Sequence, residues 1–355
     1  MRSVLDTVVG ERGLSLVELL VAMAIGLIGT IIIFQVFSAS EGVRRTTSAG
    51  GDAQQTGAIA LYALEHDVRQ SGMGFSDPTL VGCTVNAYDN QHSPASYPFP
   101  LVPVSITAGA ASKDADTIAV LYGSKEVVAN GVALSKDYSS PNMQSPINIA
   151  NPWQFQLGDL IILRAGAPNA ANPCFLFEVT KVNPNNDLDH VPGGSRFNPP
   201  GGFSGFGTLA YPMTSVVYDL GNYLAGNAIP VFNTYSISGN ALQYTSAFSA
   251  TPNAPLQVAD NIVHMHARYV MSDGTFVTPP ATPLWANLAA INLAVAARSR
   301  LPEKPSGGST TCNTTTSNPT WSGGDFDLSA DAKWQCYRYR VFETTVPIRN
   351  WIWHN

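Results

Sequence analysis

A predominantly apolar stretch runs from Leu14 to Phe37, in which Glu18 is the sole charge. A helix needs about 20 apolar residues to cross the hydrocarbon core of a bilayer, and this stretch is long enough. A carboxylate inside such a span costs roughly 2.5–3.5 kcal/mol on insertion scales, so it is a functional hypothesis by default. Gly26 and Gly29 lie within the span, where small residues soften a helix or let a neighbour approach closely. The helical pattern continues beyond it. No Pro occurs from Ser38 to Ser71, and Ala53, Thr56, Ile59, Ala60, Ala63, Leu64 and Val68 recur at helical spacing. Glu41, Arg44, Arg45, Asp52, Glu65, Asp67 and Arg69 fill the other faces. Ser71-Gly72 and Gly74 then supply a stop. One helix from Leu14 to about Gln70 would be on the order of 85 Å long. Its second half is expected to bury a stripe at Ile59 and Leu64 against a globular domain.

From Gly74 the period changes. Short β-branched and aromatic runs alternate with Gly, Pro and Asn. The expected strands are Thr117–Tyr122, Asp159–Arg164, Phe175–Val182, Ser215–Leu220, Val231–Ile237, Leu242–Thr245, Ile262–Met271, Thr275–Thr278 and Tyr337–Ile348. Ser238-Gly239-Asn240-Ala241 and Asp273-Gly274 read as tight hairpin turns. Ala286–Arg298 is too rich in alanine for its period to separate a helix from a buried strand over Ile291–Ala297. Long irregular stretches are expected at Asp77–Val104, Asn183–Gly207 and Pro302–Gly324. The fold class is α+β: a long amino-terminal helix packed on a mainly antiparallel sheet. The organisation is a short segment 1–13, a transmembrane half-helix 14–37, a second half-helix 38–72 and a β-rich domain 73–355 with long loops.

The chain has 355 residues, a net charge of -6 and only 19 Lys and Arg, with no basic run that would mark a nucleic-acid site. Its four cysteines, Cys83, Cys174, Cys312 and Cys336, form no CxxC pair, and no His stands at zinc-finger spacing. An even count outside a membrane favours disulfides in an oxidising compartment, with three pairings open. Cys312–Cys336 is favoured because it closes the Gly/Ser/Thr-rich loop Ser306–Gly324, a closure worth about 3 kcal/mol. Cys83–Cys174 follows by elimination.

Other chemistry is weakly signalled. Gly193-Gly194-Ser195 and the glycines from Gly201 to Gly205 lack the Lys-Ser/Thr of a phosphate loop and the Gly-x-Ser-x-Gly of a nucleophile elbow. His264 and His266 would share one face of a strand, but no Cys or carboxylate stands near them in sequence. Asp325, Asp327 and Asp331 offer oxygens to a cation without EF-hand spacing, and solvated loop acids are the simpler reading. No catalytic set and no cofactor motif is recognisable, so the chain reads as a non-enzyme.

The segment Gly13-Leu14-Ser15-Leu16-Val17-Glu18, ahead of the apolar run, resembles the signal of type IV pilins and type II secretion pseudopilins. In an ordinary secretory signal the charged region is clearly basic and the cut follows the apolar region. Here Asp6 and Glu11 offset Arg2 and Arg12. The resemblance implies that a prepilin peptidase cuts between Gly13 and Leu14 and that Leu14 is then N-methylated. Phe is more usual than Leu at that position. Glu18 is the acidic fifth residue of the mature chain. It would pair with a neighbouring subunit's amine, which costs less than burying either charge alone, and so set register during assembly. A plain anchor with an interfacial acid is the alternative.

Asp52-Ala53-Gln54-Gln55, the run from Ala60 to Gly72, Phe155–Leu160, Cys174–Thr180 and Tyr339–Asn350 are similar to the PilW group of minor pilins. The group implies a place in the inner membrane with the globular domain in the periplasm, and later in the pilus filament at the cell surface. Its partners would be other minor pilins and the major pilin, met through parallel amino-terminal helices, together with the prepilin peptidase and the inner-membrane assembly platform. The implied role is to prime pilus assembly at the filament tip, in service of adhesion or twitching motility. A type II secretion pseudopilin of the GspJ kind shares leader, span and fold. A tip adhesin that binds a surface or glycan through the long loops is a third reading.

Overall fold

A computed structural model describes residues 15–75, 81–125, 131–165, 173–206, 208–226, 229–303, 305 and 311–349. One α-helix runs from Leu16 to Gln70. Ser15 caps it: the Glu18 amide meets the Ser15 carbonyl at 3.0 Å and the Ser15 hydroxyl at 3.3 Å, which satisfies a donor that the first turn leaves free. At the far end Gly72 and Gly74 take positive φ, a conformation open to glycine, and the Gly72 amide donates to the Leu121 carbonyl at 3.0 Å. The chain divides into two compact units at Gly51/Asp52, within the helix.

In the first unit, Leu16–Glu41 is long and apolar enough to cross a membrane, and none of it is buried. In the second, Ala53, Ala60, Leu64 and Val68 are buried. They share a core with Ile118, Val120, Ile262, Met265, Ile291, Leu293 and Val346. Burying a Leu or Val side chain contributes roughly 1.5–3 kcal/mol, so this face anchors the helix. Ile59 does not join it. It lies 46% exposed, and the stripe runs instead through the small residues at 53, 57 and 60. At Gly57 a Cβ would overlap the Phe342 ring, so glycine lets helix and strand approach closely.

The β region holds three main sheets rather than one. A four-stranded antiparallel sheet has the order Phe276–Val277, Ile262–Met271, Leu288–Arg298, Tyr339–Pro347. Leu288–Arg298 is a central strand, which decides the ambiguous alanine-rich stretch. Its Ile291, Leu293, Val295 and Ala297 face the helix core, and Ala294 and Ala296 lie beneath Phe326 and Leu328. Both faces are covered, so no amphipathic period survives in the sequence. A five-stranded antiparallel sheet has the order Leu256–Asp260, Ala241–Ser246, Val231–Ser238, Thr117–Tyr122, Val104–Thr107. Gly239 and Asn240, both at positive φ, turn its hairpin.

The third sheet has six strands, in the order Ser96–Pro100, Thr84–Tyr88, Cys174–Glu178, Asp159–Arg164, Val216–Asn222, Val132–Ala133, with one parallel pairing between Thr84–Tyr88 and Cys174–Glu178. Its faces carry separate cores, one around Ile161, Phe175 and Phe177, the other around Leu160, Leu176 and Leu220. The expected strand Phe175–Val182 is split in two, because Lys181–Asn183 leaves this sheet to pair with Asp187–Asp189. The stretch expected to be irregular before Val104 contributes two strands. The cysteines form Cys83–Cys174 and Cys312–Cys336.

Candidate functional site: the exposed helix and its anchor

Gly13 and Leu14 lie outside the described residues. Ser15 and Glu18 stand as N-cap and third helical residue, the spacing of a capping box. A carboxylate there also meets the positive end of the helix dipole. Ala22, Gly26 and Thr30 follow Glu18 at four-residue intervals, which puts them on its face of the helix. Space is open around a Cβ built on Gly26 or Gly29. The Thr30 hydroxyl donates to the Gly26 carbonyl at 2.6 Å, so this polar group is satisfied within the helix and suits an apolar surrounding. The result is an exposed apolar helix with one carboxylate in its first turn and a stripe of small residues in line with it.

The helix is held to the β region by Asp67, one of the charged residues expected on the faces outside the apolar stripe. Asp67 is buried and accepts hydrogen bonds from the Tyr235 hydroxyl at 2.7 Å, the Asn233 amide at 2.8 Å and the Tyr122 hydroxyl at 3.2 Å. Burial, then the charge of Asp67, pushes both tyrosine hydroxyls up from their ordinary pKa, so they remain donors. A signal was present in the sequence: Asp67 falls three residues after Leu64 and next to Val68, at the edge of the apolar stripe. Arg69 and Glu65 pair on the outer face.

A second buried cluster joins Lys125, Asp159 and Asp219. The Lys125 ammonium donates to Asp159 at 2.7 Å, and also to Asp219 and the Gln154 carbonyl. Burial, then the charge of Asp159, pushes the Asp219 carboxyl up to about 7, against the pull of Lys125. For Lys125, burial lowers the pKa, but hydrogen bonds to Asp159 and Asp219 outweigh it and the net direction is up.

The three candidate cation ligands go separate ways. Asp325 is exposed in the short strand Gly324–Asp325, Asp327 accepts from the Ser112 hydroxyl at 2.7 Å, and Asp331 pairs with Arg298 at 2.9 Å. The two histidines do come together, with ring centroids 4.5 Å apart beneath Phe326. A carboxylate that is distant in sequence reaches them: Asp116 lies 3.1 Å from the Nδ1 of His266. Among the described residues no three His, Cys, Asp or Glu side chains gather as a metal site.

Comparison with known proteins bears on both ends of the chain. Residues 10–34 match the prokaryotic N-terminal methylation motif. Residues 233–350 match the family model described as type IV pilus-assembly protein W. Both agree with a PilW-like pilin. A solved type IV-like pilin from Thermus thermophilus is 15% identical, over 36% of this chain and 71% of that one, with a TM-score of 0.22. No curated protein matches the chain.

Proposed function

We propose that this type IV pilus-related chain is a minor pilin that primes filament assembly from the tip. The observation that carries the reading is the fully exposed apolar helix Leu16–Glu41 with its carboxylate at Glu18. Such a surface is stable only in lipid or against similar helices. In lipid, helices associate by close packing of small residues, and the Ala22–Gly26–Thr30 line supplies them. Glu18 meets the free amine of a neighbouring subunit once a peptidase has removed residues 1–13 and Leu14 is methylated. The partners are other minor pilins, the major pilin and the inner-membrane assembly platform. The β domain stands in the periplasm before it enters the filament. Within this reading the working parts are the leader 1–13, the span 14–37, the half-helix 38–72 and the globular part 73–355.

The carboxy-terminal PilW match favours a pilus over a secretion system. The test is the mass of the mature amino terminus in cells with and without the prepilin peptidase. A methylated Leu14 that requires the peptidase is the expected result, and an intact Met1 would overturn the reading. Glu18→Ala is expected to lower incorporation into filaments at unchanged membrane level. Unchanged incorporation would refute the pairing role.

A further inference from the structure

The Lys125 cluster is built by three segments that approach unusually closely. Strand Val216–Asn222 bulges where it pairs with Asp159–Arg164: Asp219 faces Ile161 and Gly221 faces Leu160, so Leu220 is extra. A bulge re-aims the side chains beside it, and here the carboxylates of Asp159 and Asp219 meet at one Nζ. The loop that carries Lys125 packs directly on the bulge. The Ser124 amide donates to the Leu220 carbonyl at 2.8 Å, and a Cβ on Gly123 would stand 2.6 Å from that same oxygen. Both carboxylate side chains are fully buried, and Lys125 is three-quarters buried. The Asp219 Oδ1 accepts from the Gly221 amide at 2.9 Å, and the Asp159 Oδ2 from the Gln156 amide at 2.7 Å. The Asp159 Oδ1 is buried with no partner among the described residues, and so is the side-chain Nε2 of Gln154, the residue whose backbone carbonyl accepts from Lys125.

We propose that this cluster is an autocatalytic cross-linking site, in which Lys125 and Asp219 form an intramolecular amide and Asp159 carries the proton. Asp159 takes one proton from the Lys125 ammonium. The freed amine attacks Cγ of the protonated Asp219 carboxyl and a C–N bond forms. The Cγ–OH bond then breaks, and the hydroxyl leaves as water with a second proton from the nitrogen. The third nitrogen proton stays on the amide, and the first stays on Asp159. Two opposite charges and one neutral acid thus become a neutral amide, a neutral acid and water. No oxidant or co-reactant is needed.

In open water the ionisation of amine and acid opposes this condensation. Burial penalises the charged forms and favours the neutral product. The ion pair with Asp159 keeps most Lys125 charged. The reaction draws on a small neutral fraction, which suffices for a bond made once in the life of the molecule. The amide would join the loop after Thr117–Tyr122, in the five-stranded sheet, to Val216–Asn222 in the six-stranded sheet. It would add a second covalent tie to this part of the domain beside Cys83–Cys174.

The test is a peptide map of the full-length protein, extracted from membranes in detergent, reduced and digested. The expected product is a branched peptide that joins Lys125 to Asp219 and is lighter by one water than its two arms. It should be absent from Lys125→Arg, and slow to form or absent in Asp159→Asn. Complete recovery of separate, unmodified peptides from the wild-type protein would overturn the proposal. So would a branch at Asp159, which would assign the acceptor wrongly. The wild-type map decides even if a variant fails to fold.

Discussion

Asp67→Ala tests the anchor of the helix most directly. The carboxylate accepts from three neutral donors, Tyr235, Asn233 and Tyr122. A hydrogen bond to a charged group contributes about 1.5–3 kcal/mol net, and a buried donor left without a partner costs about 1–3 kcal/mol. Alanine strands three donors at once. Some relief follows because a buried charge disappears and water enters the space. A loss of about 3–6 kcal/mol results. Asp67→Asn keeps one acceptor oxygen but turns an amide toward the donors, so it should cost less, about 2 kcal/mol. For a domain of this size a loss of about 3–6 kcal/mol lowers Tm by roughly 5–15 °C. The assay is thermal melting of the full-length protein in detergent, with hydrogen exchange read over residues 52–70. The amides there should lose protection ahead of the sheet strands if Asp67 is the anchor. A double-mutant cycle with Tyr235→Phe should show a coupling of about 1 kcal/mol or more, as expected for side chains in contact. An Asp67→Ala protein that melts within about 2 °C of wild type, with 52–70 still protected, would refute the argument.

Two further predictions follow from the same packing. Burial, then the neighbouring His266, pulls His264 down to about 4 from its ordinary 6.5. The folded state therefore disfavours the imidazolium: this stabilisation is full above pH 6.5 and is lost as pH falls through the interval to 4. It is worth about 2–4 kcal/mol. His264→Phe should flatten the fall in urea stability between pH 7 and pH 4.5, and an unchanged slope would place the acid sensitivity elsewhere. Gly57→Val should cost about 1–3 kcal/mol through overpacking against Phe342. Phe342→Ala should restore part of that loss in the double mutant, and additive losses would show that the two positions do not touch.

Much of the helix was legible because its signals are local. The apolar run, the absence of proline and the glycines after Ser71 act within a few residues of one another. Strands such as Thr117–Tyr122, Asp159–Arg164 and Ile262–Met271 were legible from β-branched runs between turn residues. The Ile59 expectation failed because helical spacing admits more than one face. The close contact at Gly57 chose the face with the smaller side chains. Asp67 falls among the charged residues on the other faces of the helix, because a buried acid and an exposed acid look alike until their donors are known, and those donors come from residues 122, 233 and 235. The same distance in sequence hid the meeting of Lys125 with Asp159 and Asp219, and that of Asp116 with His266.

By itself, the sequence determined a long helix with an exposed apolar first part, the acid at its start and a β-rich remainder. These follow from composition and period, which are properties of neighbouring residues. Only the tertiary structure decided that the β region is three sheets and that Leu288–Arg298 is a strand covered on both faces. It also decided which helix face is buried and which charged groups leave water together. Those outcomes depend on pairings between distant segments. A pairing stabilises only when both partners are present, so neither segment carries it alone.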